Sequence, residues 1–343
     1  MADYTSIDNA ELYFQCKTYT GDGNDNRAIT FDGSEDMQPN FLWFKNTGAT
    51  AWHNIYDSVR GANKAIASNA NNGEESRSDT LDSFDSDGFT VGNDTSQSPN
   101  GLNTNASTNT YVCWAWKEAA AAGFDIVSYA GDGQSNREVS HGLSAVPKTM
   151  WIKNRSGSHA WMVYHDVLGS NSGTTRRFLQ LNNTNGYNNG GSGDFPAPPT
   201  SSVFKVGSYE TMNKNGDNII AYCFREVRGF SKFGLYVGNG SADGPQVHCG
   251  FRPAWVMTKE YKDGTGHWRI RDNKRSPFND VGVVLYANDN ATQTTEDNID
   301  FLSNGFKLYT SGGENNGNGD SYVYWAWAEN PFVNSNGVPG NAR

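Results

Sequence analysis

The strongest constraint on the fold is that the chain repeats itself three times. Four short landmarks recur in one order: a Tyr-x-Gly-x-Gly turn, an apolar segment running from Pro to Lys, a Trp followed by an Asp, and an aromatic closing segment. The turn lies at 19–23, 129–133 and 236–240, and the Pro-to-Lys segment at 39–45, 147–153 and 253–259. The Trp and Asp are Trp52 and Asp57, Trp161 and Asp166, and Trp268 and Asp272. The closing segment lies at 111–116, 219–224 and 322–327. The first landmark returns after 110 and then 107 residues. Such self-similarity indicates a repeat architecture.

The repeat length matches a whole small domain, since solenoid units run only about 20–50 residues. We therefore expect each copy to bury its own tryptophan-rich core. The expected divisions are an N-terminal anchor segment at 1–15, repeats at 16–120, 121–227 and 228–335, and a C-terminal tail at 336–343.

Within a copy the pattern predicts β-strands. The Pro-to-Lys segments are short apolar runs, and the closing segments place Trp114 with Trp116, and Trp325 with Trp327, on one face of a strand. Asn- and Gly-rich runs between them are typical of turns. The predicted class is all-β, with three tandem antiparallel β-sandwich modules of jelly-roll type.

Charge and composition disfavour several classes of function. The formal net charge is −10, whereas nucleic-acid binding needs clustered Lys and Arg. We expect no membrane insertion, because no run of about 18 apolar residues occurs, and no signal peptide, because the first residues are acidic. The four cysteines are far apart and form no CxxC, so buried free thiols are expected and neither a metal nor a cofactor is predicted. An acidic run at 82–88 departs from calcium-loop spacing and is interpreted as a turn.

No catalytic constellation stands out, and the chain is not expected to be an enzyme. Asp57, Asp166 and Asp272 recur once per copy, and Asp57 and Asp272 are each followed three residues later by Arg60 and Arg275. We interpret these as turn-capping Asp–Arg pairs of modest energy. The candidate ligand-binding residues are those that could stack on or hydrogen-bond to a sugar: Trp52, Trp161, Trp268, Asp57, Arg60, Asp272 and Arg275. For the three tryptophans core packing is the favoured interpretation, because a Trp that recurs at the same place in every copy is more often part of a core.

Several stretches resemble a repeated domain of marine bacteriophages, found in virion proteins of cyanophages and pelagiphages. The similar stretches are 56–64, 83–92, 111–117, 234–240, 250–257, 299–308, 328–332 and 341–343. The resemblance implies a virion surface protein assembled in the host cytoplasm, of the tail-fibre or tail-tip kind, that presents its modules to the host surface.

The partners implied are other virion proteins and a host-surface polysaccharide, and a homotrimer is expected by analogy with phage fibres. A capsid decoration or assembly protein that binds only other virion proteins is the alternative. A glycan-degrading enzyme and a free-living lectin are two further hypotheses.

Overall fold

A computed structural model describes residues 4–94, 103–173, 175–262, 265–296 and 298–340. Within these residues the fold is nearly all β and every sheet is antiparallel, which confirms the predicted class. The helices are single turns: 3-10 helices at Ala10–Leu12 and Asp166–Leu168, and α1 (Glu210–Asn213) and α2 (Gly313–Asn316). Residues 1–3 of the expected anchor segment and 341–343 of the expected tail lie outside the described residues.

Repeat 1 forms one large and one small sheet. Its strands are β1 (Phe14–Thr20), β2 (Arg27–Ile29), β3 (Phe41–Asn46), β4 (Asn54–Asp57), β5 (Lys64–Ala67), β6 (Glu75–Ser76), β7 (Leu81–Asp85), β8 (Gly88–Val91) and β9 (Thr110–Trp116). The large sheet has the order β1-β9-β3-β4-β5-β6 and the small one β2-β8-β7.

Repeat 2 builds the same arrangement. Its strands are β10 (Phe124–Ala130), β11 (Arg137–Ser140), β12 (Thr149–Asn154), β13 (Met162–His165), β14 (Ser170–Ser172), β15 (Thr175–Arg176), β16 (Phe178–Gln180), β17 (Val203–Val206) and β18 (Asn218–Phe224). The large sheet runs β10-β18-β12-β13-β16, the small sheet pairs β11 with β17, and β14 pairs with β15.

Repeat 3 follows the same plan. Its strands are β19 (Ser231–Val237), β20 (Gln246–His248), β21 (Phe251–Glu260), β22 (Arg269–Asp272), β23 (Val283–Tyr286), β24 (Thr294–Thr295), β25 (Ile299–Leu302), β26 (Gly305–Leu308) and β27 (Ser321–Pro331). Its sheets run β19-β27-β21-β22-β23-β24 and β20-β26-β25. In all three repeats the first strand pairs with the last, and the last pairs with the Pro-to-Lys strand.

Each large sheet is covered on both faces, so its central strands are buried along their whole length. All six residues of β3 and all six of β12 are buried. On the outer face of repeat 1, Leu42 and Phe44 pack with Phe89 of the small sheet. On the outer face of repeat 2, Met150 and Ile152 pack with Phe204. In these two repeats the large and the small sheet therefore pack face to face as a β-sandwich.

The inner faces of the three large sheets meet in one aromatic core, which we call the central core. Trp116 of repeat 1 lies 5.2 Å from Trp327 of repeat 3, and Phe224 of repeat 2 lies 5.4 Å from the same Trp327, measured between ring centroids. Trp43 meets Trp151 at 5.7 Å. Such aromatic pairs add about 0.5–1.5 kcal/mol each beyond the area they bury.

The expectation that each repeat encloses its own tryptophan-rich interior is therefore wrong. One contiguous cluster contains buried residues of all three repeats, and all nine fully buried tryptophans of the described residues belong to it. The physical reason is that each large sheet has a second apolar face, which is removed from water only by the other two sheets.

Main-chain hydrogen bonds between neighbouring repeats close the three sheets into a ring. The N–H of Glu74 in repeat 1 donates to Arg155 O in repeat 2 (2.8 Å), and the N–H of Tyr187 in repeat 2 donates to Tyr261 O in repeat 3 (2.7 Å). The N–H of Gln293 in repeat 3 donates to Thr47 O in repeat 1 (3.2 Å). Thr47, Arg155 and Tyr261 each lie two residues after the landmark lysine, so the three contacts are equivalent and the chain has pseudo-threefold symmetry.

The described terminal segments and both repeat junctions meet at one end of the ring, the junction end. Thr5 Oγ1 donates to Arg228 O (3.1 Å), and the rings of Tyr4 and Phe332 lie 6.2 Å apart. The other junction is tied to this one, because Arg225 N donates to Gly123 O (2.9 Å). The Tyr-x-Gly-x-Gly turns lie at the far ends of the first strands, which we call the turn end.

Candidate functional site: the grooves between repeats

Strand pairing corrects the alignment of the third landmark. The partner of Trp43 in β3 is Ile55, and the partner of Trp151 in β12 is Val163. Two residues earlier stand His53 and Trp161, so His53, and not Trp52, is the equivalent of Trp161. The same pairing makes Asp57, His165 and Asp272 equivalent, since they pair with Phe41, Thr149 and Trp255. Asp166 lies one position further along.

The candidate tryptophans differ in their surroundings. Trp161 and Trp268 are fully buried, and their indole N–H groups donate to main-chain oxygens of the preceding repeat, Ala67 O at 2.8 Å and Gln180 O at 3.1 Å. Trp52 is partly exposed. The first two therefore join repeats and face no solvent.

His53 takes the corresponding place in repeat 1. Its Nδ1 accepts a hydrogen bond from the Trp43 indole at 2.9 Å. Burial lowers the pKa of His53 well below its ordinary value, so the ring is neutral and acts as an acceptor.

The Asp57–Arg60 and Asp272–Arg275 pairs both exist, and they are buried. Asp57 accepts from the Arg60 main-chain N–H (2.8 Å) and from Arg60 Nε, and Asp272 accepts from Arg275 N (2.8 Å) and Nε (2.6 Å). Each aspartate also receives a donor from another repeat: the Tyr222 hydroxyl reaches Asp57 at 2.6 Å, and the Trp114 indole reaches Asp272 at 3.0 Å.

These pairs are consequently parts of the interface between repeats, which the interpretation as modest local pairs did not include. Asp166 instead lies near the surface, where Lys148 Nζ donates to it at 2.7 Å.

Three buried lysines, each the last residue of a Pro-to-Lys segment, also join the repeats. Lys45, Lys153 and Lys259 donate to main-chain oxygens of the neighbouring repeat at Asn290 (3.3 Å), Asn71 (3.2 Å) and Thr184 (3.0 Å). Burial lowers the pKa of Lys45 and Lys259 to about 8 and that of Lys153 to about 7. Each lysine recurs at the end of an apolar strand, and this recurrence in the sequence could have identified the three lysines as buried residues.

A buried asparagine fixes each turn at the turn end, at a position that was not among those predicted from the sequence. Asn105, Asn213 and Asn316 accept from the main-chain N–H of the fourth turn residue at 3.2, 3.0 and 2.8 Å. Each side-chain amide also donates back to that residue's side chain, at 2.8 to 2.9 Å. All three lie six residues before the closing segment, so constant spacing could have identified them.

At the turn end, the inner face of the first and last strands of repeat 1 forms a groove against repeat 3. The equivalent positions between repeats 2 and 1 and between repeats 3 and 2 are called groove 2/1 and groove 3/2. Groove 1/3, between repeats 1 and 3, has a volume of about 380 Å³. It is lined by Thr18, Thr20, Thr47, Thr110, Arg275 and Gln293.

The equivalent positions carry different chemistry in the other two grooves. In the order used for groove 1/3, the positions of groove 2/1 hold Ser128, Ala130, Arg155, Asn218, Arg60 and Glu74. In the same order, the positions of groove 3/2 hold Leu235, Val237, Tyr261, Ser321, Leu168 and Tyr187. In groove 2/1 Arg155 is bonded to Glu74 at 3.1 Å. Four threonines line groove 1/3, whereas the equivalent positions hold one serine in groove 2/1 and one serine and two tyrosines in groove 3/2, so groove 1/3 is the candidate site for a polar ligand.

Metal and membrane features are not part of this site. Among the described residues, no three His, Cys, Asp or Glu side chains group closely enough to hold a metal ion. All four cysteines are buried and free. In the same described part of the chain, both α-helices have four residues, too few to span a bilayer.

Comparison with known proteins gives one match. No curated protein and no solved structure matches the chain. A single family model matches residues 9–331, from the first single-turn helix to the end of β27, and therefore treats the three repeats as one unit. The chain belongs to this family, whose description is a domain of unknown function, DUF7483.

Proposed function

We propose that this chain is a structural protein of a bacteriophage virion, held to the particle by its junction end and attached to a host-surface glycan by its turn end. The resemblance to marine phage virion repeats supports the virion assignment. The observation on which the proposal depends most is that both described terminal segments and both repeat junctions meet at one end, through contacts such as Thr5 with Arg228 and Tyr4 with Phe332.

A closed ring suits this role because it is stiff. Each neighbouring pair of repeats is joined by main-chain hydrogen bonds and by a buried lysine, so a force applied at the turn end passes to the junction end through three sheets. The role is proposed to be non-catalytic, since Asp57 and Asp272 are already occupied by arginine and by a donor from another repeat.

Competition for host cells tests the proposal. Purified chain should slow adsorption of virions of a phage that encodes it, and gold-labelled antibody against the chain should mark the outside of intact particles. Labelled particles without competition would favour the alternative of a capsid decoration that binds only virion proteins. Release of reducing ends from host polysaccharide would contradict the non-catalytic assignment.

Light scattering tests the proposed homotrimer. The chain mass is 37.6 kDa, and a particle of three times that mass supports it. A monomer would contradict it.

A further inference from the structure

We infer that groove 1/3 binds a saccharide that carries a carboxylate, of the uronic acid class, through Arg275 and the threonine hydroxyls. This inference rests on the proposed attachment to host glycan, and it names the place and the class of ligand. It begins from a difference between two equivalent arginines, Arg60 and Arg275.

Both arginines are held in the same way by their own repeats. Each Nε donates to the aspartate three residues earlier, Asp57 or Asp272. Each Nη2 donates to the carbonyl five residues earlier, Ile55 O at 2.9 Å and Ile270 O at 3.1 Å. The guanidinium planes are therefore fixed alike, and Nη1 is the remaining donor group of each.

The two Nη1 groups face different neighbours. Nη1 of Arg60 donates to Lys64 O at 2.7 Å and to the Glu74 carboxylate at 3.3 Å. Nη1 of Arg275 is buried and has no hydrogen-bond partner among the described residues, and its side chain is only 3% exposed. The residue equivalent to Glu74 is Gln293, which is exposed on the rim of the groove.

Groove 2/1 thus shows two acceptors that suit this position, a main-chain carbonyl and a carboxylate, and only the carboxylate neutralises the charge of the arginine. A buried guanidinium N–H without an acceptor destabilises the folded chain, and a hydrogen bond from a charged donor is stronger than one between neutral groups. In groove 2/1 the chain supplies the carboxylate itself, whereas in groove 1/3 a ligand can supply it.

The rest of the groove suits the hydroxyls of a sugar. Thr18 and Thr20 are exposed on β1, and Thr110 pairs with Thr20 across the sheet. The hydroxyl of Thr110 already contacts that of Thr47 at 2.7 Å, so these side chains are oriented by each other. Threonine hydroxyls both donate and accept, and their methyl groups can contact sugar C–H groups.

Titration calorimetry with D-galacturonate, D-glucuronate and D-galactose tests the assignment on the full chain. We expect one uronate per chain, with neutral galactose at least tenfold weaker. Gln293→Glu supplies the carboxylate from the chain, as Glu74 does, and should weaken uronate binding at least tenfold while raising the melting temperature. Thr20→Val should weaken binding severalfold, and Ser321→Val, at the position of Thr110 in groove 3/2, should leave it unchanged.

The inference is overturned if no uronate binds, if galactose binds equally well, or if Gln293→Glu binds as the unaltered chain does. A host-cell binding assay separates this result from the proposed function. Attachment that survives Gln293→Glu overturns the groove assignment alone, whereas an unaltered chain that fails to attach to host cells contradicts the proposed function itself.

Discussion

The hydroxyl of Tyr222 in repeat 2 lies 2.6 Å from Oδ2 of Asp57 in repeat 1, and both side chains are fully buried. Burial raises the pKa of Tyr222 well above its ordinary value, so the phenol remains a donor at neutral pH. The Asp57 carboxylate also holds Arg60, so one short hydrogen bond links a local ion pair to a neighbouring sheet. Because the carboxylate is buried, loss of any of its donors is expensive.

Tyr222→Phe should therefore lower the free energy of unfolding by about 1–3 kcal/mol, the usual cost of leaving a buried polar group without one of its partners. Urea denaturation followed by tryptophan fluorescence measures it. Tyr309→Phe is the matched control, since Tyr309 is 42% exposed, and it should change stability by less than about 0.5 kcal/mol. Equal effects of the two substitutions would contradict the role given to the Tyr222–Asp57 contact.

The shared central core predicts that the three repeats unfold together and that one repeat does not fold alone. In an isolated fragment of residues 121–227, Trp151 and Phe224 would lose their contacts with Trp43 and Trp327 and would face water. We expect the full chain to show one calorimetric transition whose calorimetric and van't Hoff enthalpies agree. The fragment should lack dispersed amide signals in NMR spectra. Three separate transitions, or a folded fragment, would contradict the ring.

The sequence predicts the repeats and their strands well because both are local. Alternation places Trp114 and Trp116 on one face, and pairing confirms that they lie together on the inner face of β9. It does not reveal what covers that face, since one shared core and three separate cores need the same alternation. The sequence does indicate that this sheet is buried on both faces, because the run from Phe41 to Phe44 is apolar at every position.

The misaligned third landmark has a comparable cause. Trp52 was matched with Trp161 because both are tryptophan, although they stand seven and eight residues after their landmark lysines. Counting from Lys45 and Lys153 places His53 opposite Trp161, as the pairing does. Side-chain identity misleads where a position requires only a buried ring that can make one hydrogen bond.

The asparagines at the turn end predict a graded response to a single-atom change. Asn213 donates its side-chain amide to the carboxylate of Asp132 at 2.9 Å, whereas Asn316 donates to the neutral amide of Asn239 at the same distance. Asn213→Asp places two carboxylates together and should destabilise the chain by more than Asn316→Asp, which loses donors without that repulsion. Thermal melts at pH 7 measure both. The opposite order would contradict these contacts.

Close packing at the same turns predicts the effect of adding one methyl group. A Cβ on Gly131 would lie 2.0 Å from the carbonyl oxygen of Lys214, which belongs to the main chain and cannot swing away. Gly131→Ala should lower the free energy of unfolding by about 1–3 kcal/mol, the usual effect of overpacking. Gly313→Ala is the control, because no atom lies within 4 Å of its added Cβ and it begins α2. Urea denaturation should leave that variant near the unaltered chain.

Lys153 predicts how stability depends on pH. Burial lowers its pKa to about 7, while the unfolded lysine titrates near about 10.4. Between those two pH values this lysine is protonated in the unfolded chain and mostly neutral in the folded chain. The free energy of unfolding therefore increases by up to about 1.4 kcal/mol for each pH unit of increase. The contribution of Lys153 is best measured between about pH 6.5 and about pH 8.5. Above this range the cysteines of the unfolded chain ionise, which lowers the free energy of unfolding and opposes the contribution of the lysine. Urea midpoints should rise across this range. Lys153→Met should reduce the slope most below about pH 8, because Lys45 and Lys259, whose pKa is lowered to about 8, contribute mainly above it. Lys205→Met, at a partly exposed lysine, should keep the slope. If Lys153→Met leaves the slope of the urea midpoint against pH unchanged, the pH dependence of stability does not come from burial of this lysine.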